Sequence, residues 1–338
     1  MKNTKRNSVI ILVITILVLV YILKDNFIPI VETLKQANLL WLFVTLVLFV
    51  LYFIFDQLSL HNIIKQYSKD FKFQFSLYLG MITKFFNGIT PLATGGQPME
   101  VYEMHKKGIA YSNGTNIVIQ NYIVFQIALV FYAFVAAFLD QYYHLFNYVP
   151  VLRQLTIIGF IINVVILFIL FMVSFNKKFN KKIVNGIINF LYKIKILKEK
   201  NKLIEKANKI CDDYYENAKT LIKNKKTFAK CIFYQIVSLG IYNLMPLFIA
   251  MSLNINDLNV ISSISASAYI YVMGCYVPIP GATGGMEYAF MGYFGSFLSD
   301  APLKALLILW RFLTYYMPTI FGALIYNLFN NTNKKDQY

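Results

Sequence analysis

The chain has 338 residues, of which 58% are hydrophobic and only 14% are charged. Soluble domains carry roughly 25% charged residues, so this composition and the mean hydropathy of +0.55 exclude a soluble domain of this length. The composition predicts an all-α, polytopic integral membrane protein. The formal net charge of +16 is typical of basic cytoplasmic loops in such a protein, and no nucleic-acid partner is expected.

Several apolar runs reach or approach the roughly 20 residues that a membrane-spanning helix needs. In chain order they are 8–23, 39–55, 117–139, 154–175, 231–256, 258–286 and 303–329. The run 8–23 follows basic residues but has no small-residue cleavage site behind it. We therefore expect a retained first helix rather than a signal peptide.

Two further apolar segments are poor candidates for full spans. Segment 71–91 includes Lys72 and Lys84 and ends in glycine and proline, and segment 288–298 is too short. Segments of this kind are typical of half-helices that enter the membrane and return. We expect about seven or eight membrane segments plus re-entrant pieces.

Lysine is concentrated in a few segments, which the positive-inside rule assigns to the cytoplasm. The most basic is 176–230, which holds 16 Lys against 5 Asp or Glu. The expected topology is a multi-pass plasma-membrane protein whose N-terminus, basic block and C-terminus are cytoplasmic. The block 176–230 then separates a first membrane half, 1–175, from a second, 231–338.

The basic block also contains a helical pattern. Six of its residues recur at spacings of three and four and predict one face of an amphipathic helix: Leu203, Ala207, Ile210, Tyr214, Ala218 and Leu221. A lysine-rich opposite face would suit an anionic inner leaflet. A solvated loop helix is the alternative.

One short sequence occurs once in each half. Residues 93–102 read ATGGQPMEVY and residues 282–288 read ATGGMEY, and each copy follows proline. Paired hydrophobic segments interrupted by glycine and proline are typical of transporters built from inverted repeats, with the site at the repeat interface. Their broken backbone offers N–H groups to an anion such as a lipid phosphate. For a single copy, an ordinary interhelical loop would be the alternative.

The first motif, 87–108, is accompanied by ionisable residues. Glu100 and Glu103 share one face of a helix that starts after Pro98. Lys84 lies one helical run upstream, inside an apolar segment, where an ionisable residue indicates function. The alternative is that Lys84 extends its amine to the lipid head groups.

The second motif, 278–295, contains Glu287 at the expected start of a helix, where its charge is favourable. Its candidate partner is Arg311, because arginine suits carboxylate or phosphate recognition. Three roles remain open for the pair. It stabilises the bundle, or it binds a ligand, or Arg311 binds a lipid phosphate that Glu287 positions.

Sequence patterns of known catalytic sites are absent from the chain. It has no GxSxG, HExxH or P-loop sequence, and its histidines are scattered. Its three cysteines lack metal-ligand spacing and are expected to be free thiols. Asp212 and Asp213 are paired, but beside Cys211 in the basic block they look structural. We therefore expect no catalytic residue, no metal and no cofactor.

Together the motifs resemble those of the lysylphosphatidylglycerol synthase transmembrane-region family, also called flippase-like proteins. Members carry a TP…GG-P…E/Y segment, a PGG-GxxE-type segment and a final helix with arginine followed by proline. The matching residues are Thr90, Pro91, Gly95, Gly96, Pro98 and Tyr102, then Pro280, Gly281, Gly284, Gly285 and Glu287, and finally Arg311 and Pro318. Ala282 and Thr283 are inserted relative to the family pattern, and the resemblance covers essentially the whole chain.

The resemblance implies a transporter that moves a lipid between leaflets. In two-part members a soluble aminoacyltransferase domain adds lysine to phosphatidylglycerol, and the membrane region moves the product to the outer leaflet. The chain ends at Tyr338, so we expect no transferase domain. The expected substrate is an anionic or aminoacylated phospholipid, of the phosphatidylglycerol or lysyl-phosphatidylglycerol type, or a polyprenyl-linked lipid.

The expected lipid-binding residues come from both halves. They are Lys84, Thr90, Pro91, Gly95, Gly96, Pro98, Glu100 and Tyr102 in the first, and Pro280, Gly281, Gly284, Gly285, Glu287 and Arg311 in the second. Asp56 is a weaker candidate. The alternative functions are a phosphatidylglycerol lysyltransferase linked to resistance against cationic antimicrobials, and a subunit of lipid-linked glycosyl transfer. A non-transporting scaffold would leave the intramembrane charges unexplained, and a homo-oligomer is compatible with any of these.

Overall fold

The computed structural model describes residues 27–68, 70–194 and 224–335, together with part of 201–215. The described residues form helices and loops without strands, as expected for a chain that must satisfy its backbone hydrogen bonds within the membrane. Five helical segments are long and apolar enough to span a membrane: Leu39–Ile64, Tyr111–Tyr143, Pro150–Ser174, Lys225–Ser252 and Ala301–Leu328. The expected first helix, 8–23, lies outside the described residues.

The elements follow one another with short connections. In chain order they are α1 (Phe27–Lys35), α2 (Leu39–Ile64), α3 (Phe73–Gly88), α4 (Gly96–Lys106), α5 (Tyr111–Tyr143), α6 (Pro150–Phe175), α7 (Lys177–Lys193), α8 (Lys225–Ser252), α9 (Val260–Gly274), α10 (Gly285–Phe294), α11 (Asp300–Arg311) and α12 (Met317–Lys335). One-turn 3₁₀ helices at Pro91–Ala93 and Pro280–Ala282 are called the first and second tips. A π-helical segment, Phe312–Tyr316, joins α11 to α12.

Helices α2 and α8 form a central antiparallel pair. The Asn38 N–H donates to the Ser252 carbonyl at 2.7 Å, and the Cys231 thiol donates to the Ser59 carbonyl at 3.6 Å. These contacts join the start of each helix to the end of the other. They define two ends of the bundle: the lysine-rich end, with the C-terminus of α2 and the start of α8, and the opposite end.

The first repeat motif lies in a hairpin that enters from the lysine-rich end. Helix α3 has 16 residues and α4 has 11, so they are about 24 Å and 16 Å long, shorter than the ~30 Å apolar core of a bilayer. The Thr83 hydroxyl donates to Glu100 at 2.6 Å, and the Tyr78 hydroxyl donates to Glu103 at 3.2 Å. These pairs show that α4 returns antiparallel to α3, as predicted for a re-entrant segment.

The second motif lies in a matching hairpin that enters from the opposite end. Helix α9 begins just after α8 ends, and α10 returns along it. The rings of Tyr269 and Tyr293 are 5.3 Å apart, and a Cβ on Gly274 would meet Met286 at 2.9 Å. The run 258–286, expected as a further span, is therefore interrupted. Pro278 and Pro280 follow the end of α9, because proline lacks the N–H that a continuing helix needs.

The two hairpins meet at their tips, and the helix contacts around them have an inverted symmetry. The first tip contacts the second, α3 packs on α12, and α9 packs on α5. Each hairpin thus packs on a long helix from the other half of the chain, which is the arrangement of an inverted repeat. The boundaries 1–175, 176–230 and 231–338 stay predictions.

Tight helix contacts hold the hairpins in place. A Cβ on Gly322 in α12 would collide with the Met81 carbonyl of α3, and such close approach is how small residues pack membrane helices. Around the bundle, exposed apolar side chains such as Ile157, Ile161 and Phe168 of α6 present a surface suited to lipid.

The amphipathic helix predicted in the basic block is described only in part. Leu203 and Ala207 lie in described helical positions, whereas the other four residues of the expected amphipathic face lie outside the described residues. The block also contributes α7, whose apolar stripe precedes the predicted one.

Candidate functional site

The two tips share an unusual backbone geometry. Leu92 and Ala93 have φ of 54° and 51°, and Gly281 and Ala282 have φ of 63° and 52°. Non-glycine residues in the left-handed region cost about 1–3 kcal/mol each and persist only where the surrounding structure holds them. The same pair of positive φ angles therefore recurs at equivalent positions of the two motifs, with strain at Leu92, Ala93 and Ala282.

The N–H groups beside the tips already have partners. The Gly95 N–H donates to the Thr90 hydroxyl at 2.9 Å, and the Gly96 N–H donates to the Asn87 side chain at 2.8 Å. The Gly284 N–H donates to a Glu287 oxygen at 2.6 Å. An anion that bound these donors would have to replace oxygen atoms of the protein itself.

Beside the second tip, Glu287 and Arg311 form a buried ion pair, as their sequence positions suggested. The Arg311 Nε and Nη2 atoms both lie 2.6 Å from Glu287 Oε1, and Nη2 donates to the Gly281 carbonyl at 3.1 Å. Arg311 is only 2% exposed and Glu287 only 5%. Glu287 is the third residue of α10, so its other oxygen can cap the start of the same helix.

Tyr315 connects this ion pair to the first hairpin. Its hydroxyl donates to the Gly88 carbonyl at 3.0 Å, and the Arg311 guanidinium lies 5.1 Å from its ring. The ring also fills the space where a Cβ on Gly281 would lie. Tyr315 belongs to the π-helical segment after Arg311, and such segments are frequent at functional sites.

A second group of polar residues lies on the first hairpin and α2. Lys84 donates to the Tyr52 hydroxyl at 2.5 Å and interacts electrostatically with Asp56 and Glu100. Asp56 accepts a hydrogen bond from Gln235 of α8 at 2.9 Å. Lys84, Asp56 and Glu100 are called the first cluster, and Glu287 with Arg311 the second cluster.

Tyrosine side chains join the two clusters. The rings of Tyr52 and Tyr242 are 5.4 Å apart, so Tyr242 contacts the residue that holds Lys84. Tyr242 also interacts electrostatically with Arg311 and hydrogen-bonds with Thr314. The bundle interior therefore contains one continuous polar region that carries both clusters.

The other candidate residues have distinct positions. Thr90, Pro91, Pro280 and Gly285 lie at or beside the tips. Helix α4 was expected to start after Pro98, but it begins at Gly96, so Pro98 lies in its first turn. Proline is tolerated there because the N–H of a first-turn residue has no partner within the helix. Tyr102 is 43% exposed, with the Lys106 amine 4.5 Å from its ring, so the structure does not bring it to the tips.

Sequence reasoning missed the aromatic and hydroxyl partners of the charged residues. Tyr52 and Thr83 belong to no sequence motif. Each contacts a charged residue of a different helix, Lys84 and Glu100 respectively. Tyr315 could have been suspected from the sequence, since it lies four residues, about one helical turn, after Arg311.

A buried charge outside the two clusters, Asp140 on α5, was also missed. It accepts hydrogen bonds from the Phe146 N–H at 3.1 Å and from the Tyr269 hydroxyl at 3.3 Å, and it pairs with Arg153 at 3.0 Å. These contacts tie α5 and α6 to the base of the second hairpin, which indicates a structural role.

A family model described as the lysylphosphatidylglycerol synthase TM region matches residues 8–322, which include both hairpins, both tips and Arg311. No curated protein matches the chain. Because the match covers nearly the whole chain, the protein belongs to the lysylphosphatidylglycerol synthase TM-region family.

Proposed function

We propose that the protein moves a lipid with an anionic or aminoacylated head group between the two leaflets of the membrane. The substrate class is a phospholipid of the phosphatidylglycerol or lysyl-phosphatidylglycerol type, or a polyprenyl-linked lipid. The main support is that two broken hairpins enter from opposite ends and meet at their tips beside a buried arginine. Transporters with inverted repeats bind substrate at such a junction.

The second cluster supplies donors that suit a phosphate. The Arg311 guanidinium and the Gly284 N–H together form an anion site at a helix start. The Glu287 carboxylate occupies this site by accepting hydrogen bonds from both groups. In our proposal Glu287 acts as an internal anion that holds the tip closed. A lipid phosphate would displace it and take over the contacts with Arg311.

The first cluster provides the complementary charges. Lys84 would give a second contact to the phosphate, and Glu100 would meet a cationic head group such as a lysyl group. The cluster joins the second one through Tyr52 and Tyr242, so one head group could interact with both during its passage.

We further propose that the lysine-rich end faces the cytoplasm and that α7 lies on the anionic inner leaflet. Helix α7 has an apolar stripe at spacings of three and four, which lines an open groove of about 490 Å³. The stripe consists of Phe179, Ile183, Ile187 and Phe190. Lysines flank it, and each would contribute about 1 kcal/mol at an anionic surface.

Contacts at the start of α7 fix it to the end of α6, which supports this proposal. Asn176 caps the helix by accepting from the Phe179 N–H at 3.1 Å, and Asn180 donates to the Val173 carbonyl of α6 at 3.0 Å. Hydrogen bonds from Lys181 and Lys177 lower the pKa of Asp212 on the following helix. Acidification through that pKa would protonate Asp212 and release both lysines toward lipid.

Reconstitution tests the transport proposal. Purified protein in liposomes with labelled phosphatidylglycerol, lysyl-phosphatidylglycerol or polyprenyl phosphate should accelerate exchange between leaflets for at least one of them. Arg311→Ala should abolish the exchange because it removes the phosphate contact, and Glu287→Gln should abolish it because the tip then lacks the anion that closes it again after the phosphate leaves. The matched control is the double variant Glu103→Gln with Lys106→Gln. It removes an ion pair whose Nζ–Oε1 distance is 2.7 Å and which lies away from the tips, so the exchange rate should stay unchanged.

Two results would count against the proposal. Rates equal to those of empty liposomes for every lipid would exclude transport by this chain. Incorporation of lysine from charged tRNA into phosphatidylglycerol by the purified chain would instead favour the transferase.

A further inference from the structure

The two clusters differ in their balance of charge. In the second cluster, one carboxylate faces one guanidinium at 2.6 Å. In the first, Asp56 and Glu100 share a single cation, Lys84. If all three groups were ionised, the first cluster would carry a net negative charge inside the bundle, where an uncompensated charge costs several kcal/mol.

Asp56, which likewise forms no ion pair within 4 Å among the described residues, accepts amide hydrogen bonds from Gln57 and Gln235, so Glu100 is the carboxylate of the first cluster with less compensation. Glu100 is 6% exposed, and its hydrogen-bond partner is the Thr83 hydroxyl at 2.6 Å. Among the residues that the structure describes, it forms no ion pair within 4 Å. Three other buried carboxylates do have such a pair: Glu103, Asp140 and Glu287.

The neighbouring helices do not supply the missing charge. Helix α3 presents Thr83 and Lys84 to Glu100, and α2 presents Asp56, with the Tyr52 hydroxyl bound to Lys84. On α4 itself, Glu103 is paired with Lys106 and hydrogen-bonded to Tyr78. Helix α5 has no Lys, Arg, Asp or Glu before Asp140. Lys84 is therefore the one cation facing Glu100 within the described part of the chain, and it is shared.

We infer that Glu100 is a proton-binding site and that this proton moves together with the lipid. The resting carboxyl is the neutral acid, because protonation removes the uncompensated buried charge. In the step itself, the carboxylate takes one proton from water at one side and later returns it to water at the other. The second part of the inference, coupling to lipid, rests on the proposed function.

Linkage gives the coupling its sign. An anionic head group near Lys84 adds negative charge beside Glu100, which favours the protonated carboxyl. By reciprocity, protonation of Glu100 must strengthen the binding of that head group. Phosphatidylglycerol and proton would thus bind together and leave together, so a pH gradient would drive this lipid toward the more alkaline side, whereas a lysyl group beside Glu100 would favour the carboxylate.

Infrared difference spectroscopy tests the proton site without any transport. Purified wild-type protein should show the carbonyl band of a protonated carboxylic acid at neutral pH. Glu100→Gln should remove this band, and the control Glu103→Gln should retain it. Asp56→Asn removes a neighbouring negative charge, so the Glu100 band should then disappear at lower pH than in the wild type.

The inference is overturned if the wild type has no such band at neutral pH, or if the band survives in Glu100→Gln. Should Glu100→Gln fail to fold, Thr83→Val keeps the carboxyl but removes its hydroxyl partner. The band should then shift in frequency, and an unshifted band would assign it to another residue.

A pH gradient across the liposomes separates this inference from the transport proposal. Net movement of phosphatidylglycerol toward the alkaline side, lost in Glu100→Gln, supports coupling. Lipid exchange that ignores the gradient overturns the coupling but not transport. A Glu100 band without any lipid exchange overturns the proposed function but not the proton site.

Discussion

The two hairpins share a pair of positive φ angles at their tips, yet the glycines after the tips, Gly95 and Gly284, differ in φ, at −82° and 88°, and the glutamates have different environments. Helices α4 and α10 begin at equivalent glycines, Gly96 and Gly285, and each follows a strained tip. Glu287 caps its own helix and binds an arginine, whereas Glu100 contacts a hydroxyl of the neighbouring helix. A repeated backbone motif therefore carries one charge-balanced cluster and one unbalanced cluster.

A short insertion explains the difference. Glu287 is the third residue of α10, but Gln97 and Pro98 make Glu100 the fifth residue of α4. Two residues rotate a side chain by about 200° around a helix. Glu100 therefore cannot cap its helix and points instead to α3.

The largest expected effect comes from unbalancing the second cluster. Arg311→Met leaves the Glu287 carboxylate buried without its cation and should destabilise the protein by about 3–5 kcal/mol. The double variant Arg311→Met with Glu287→Gln should unfold close to the wild-type temperature, because replacing a whole buried pair is often neutral. Thermal unfolding in detergent measures both, and equal losses in the two variants would contradict the ion-pair account.

The next effect tests whether the tips are equivalent. Gly281→Ala introduces a Cβ that collides with Tyr315 at a φ of 63°, and should cost about 3 kcal/mol or more. At the matching position of the first tip, Leu92→Gly relieves a positive φ but adds unfolded-state entropy, so its effect should be within about 1 kcal/mol of zero. The unfolding temperatures of the two variants measure both effects. A larger loss in Leu92→Gly than in Gly281→Ala would contradict this account of the tips.

A smaller effect distinguishes a charged from a neutral hydrogen bond. Tyr52→Phe removes the acceptor of the Lys84 amine and should cost about 1.5–3 kcal/mol if Lys84 is charged. Tyr315→Phe removes a neutral bond to the Gly88 carbonyl and should cost about 1 kcal/mol. If denaturant unfolding gives Tyr52→Phe the smaller loss, Lys84 is not held as a cation by Tyr52.

The smallest effect concerns the membrane-facing helix. Lys182→Gln in α7 should weaken attachment of the lysine-rich end to anionic lipid by about 1 kcal/mol. Fluorescence of a probe on α7, compared in anionic and neutral nanodiscs, reports whether the helix lies on lipid. If the probe gives the same spectrum in anionic and neutral nanodiscs, both in the wild type and in Lys182→Gln, then α7 lies in solvent. Phe190→Ser is the companion variant for the apolar stripe.

Much of the fold followed from local sequence. Apolar length predicted the long helices, and glycine with proline predicted the two interrupted segments, because these residues act on the backbone where they stand. The pairing of Glu287 with Arg311 was also expected, since few buried charges of opposite sign were available in that half.

The remainder depends on contacts between distant residues. The meeting of the tips and the bond between Lys84 and Tyr52 join different helices, so no local spacing encodes them. The glycine N–H groups were expected to be open to an anion. They are instead bonded to side chains such as Asn87 and Glu287, because buried donors require partners.

The most direct test is the protection of labelled phosphatidylglycerol from a membrane-impermeant quencher in liposomes. With wild-type protein, and with the control Glu103→Gln plus Lys106→Gln, the label should be quenched in both leaflets. With the folded double variant Arg311→Met plus Glu287→Gln, only the outer-leaflet label should be quenched. Inner-leaflet protection by the wild type of phosphatidylglycerol and, in the same assay, of lysyl-phosphatidylglycerol and polyprenyl phosphate, or full quenching with the double variant, would contradict a head-group site at the hairpin tips.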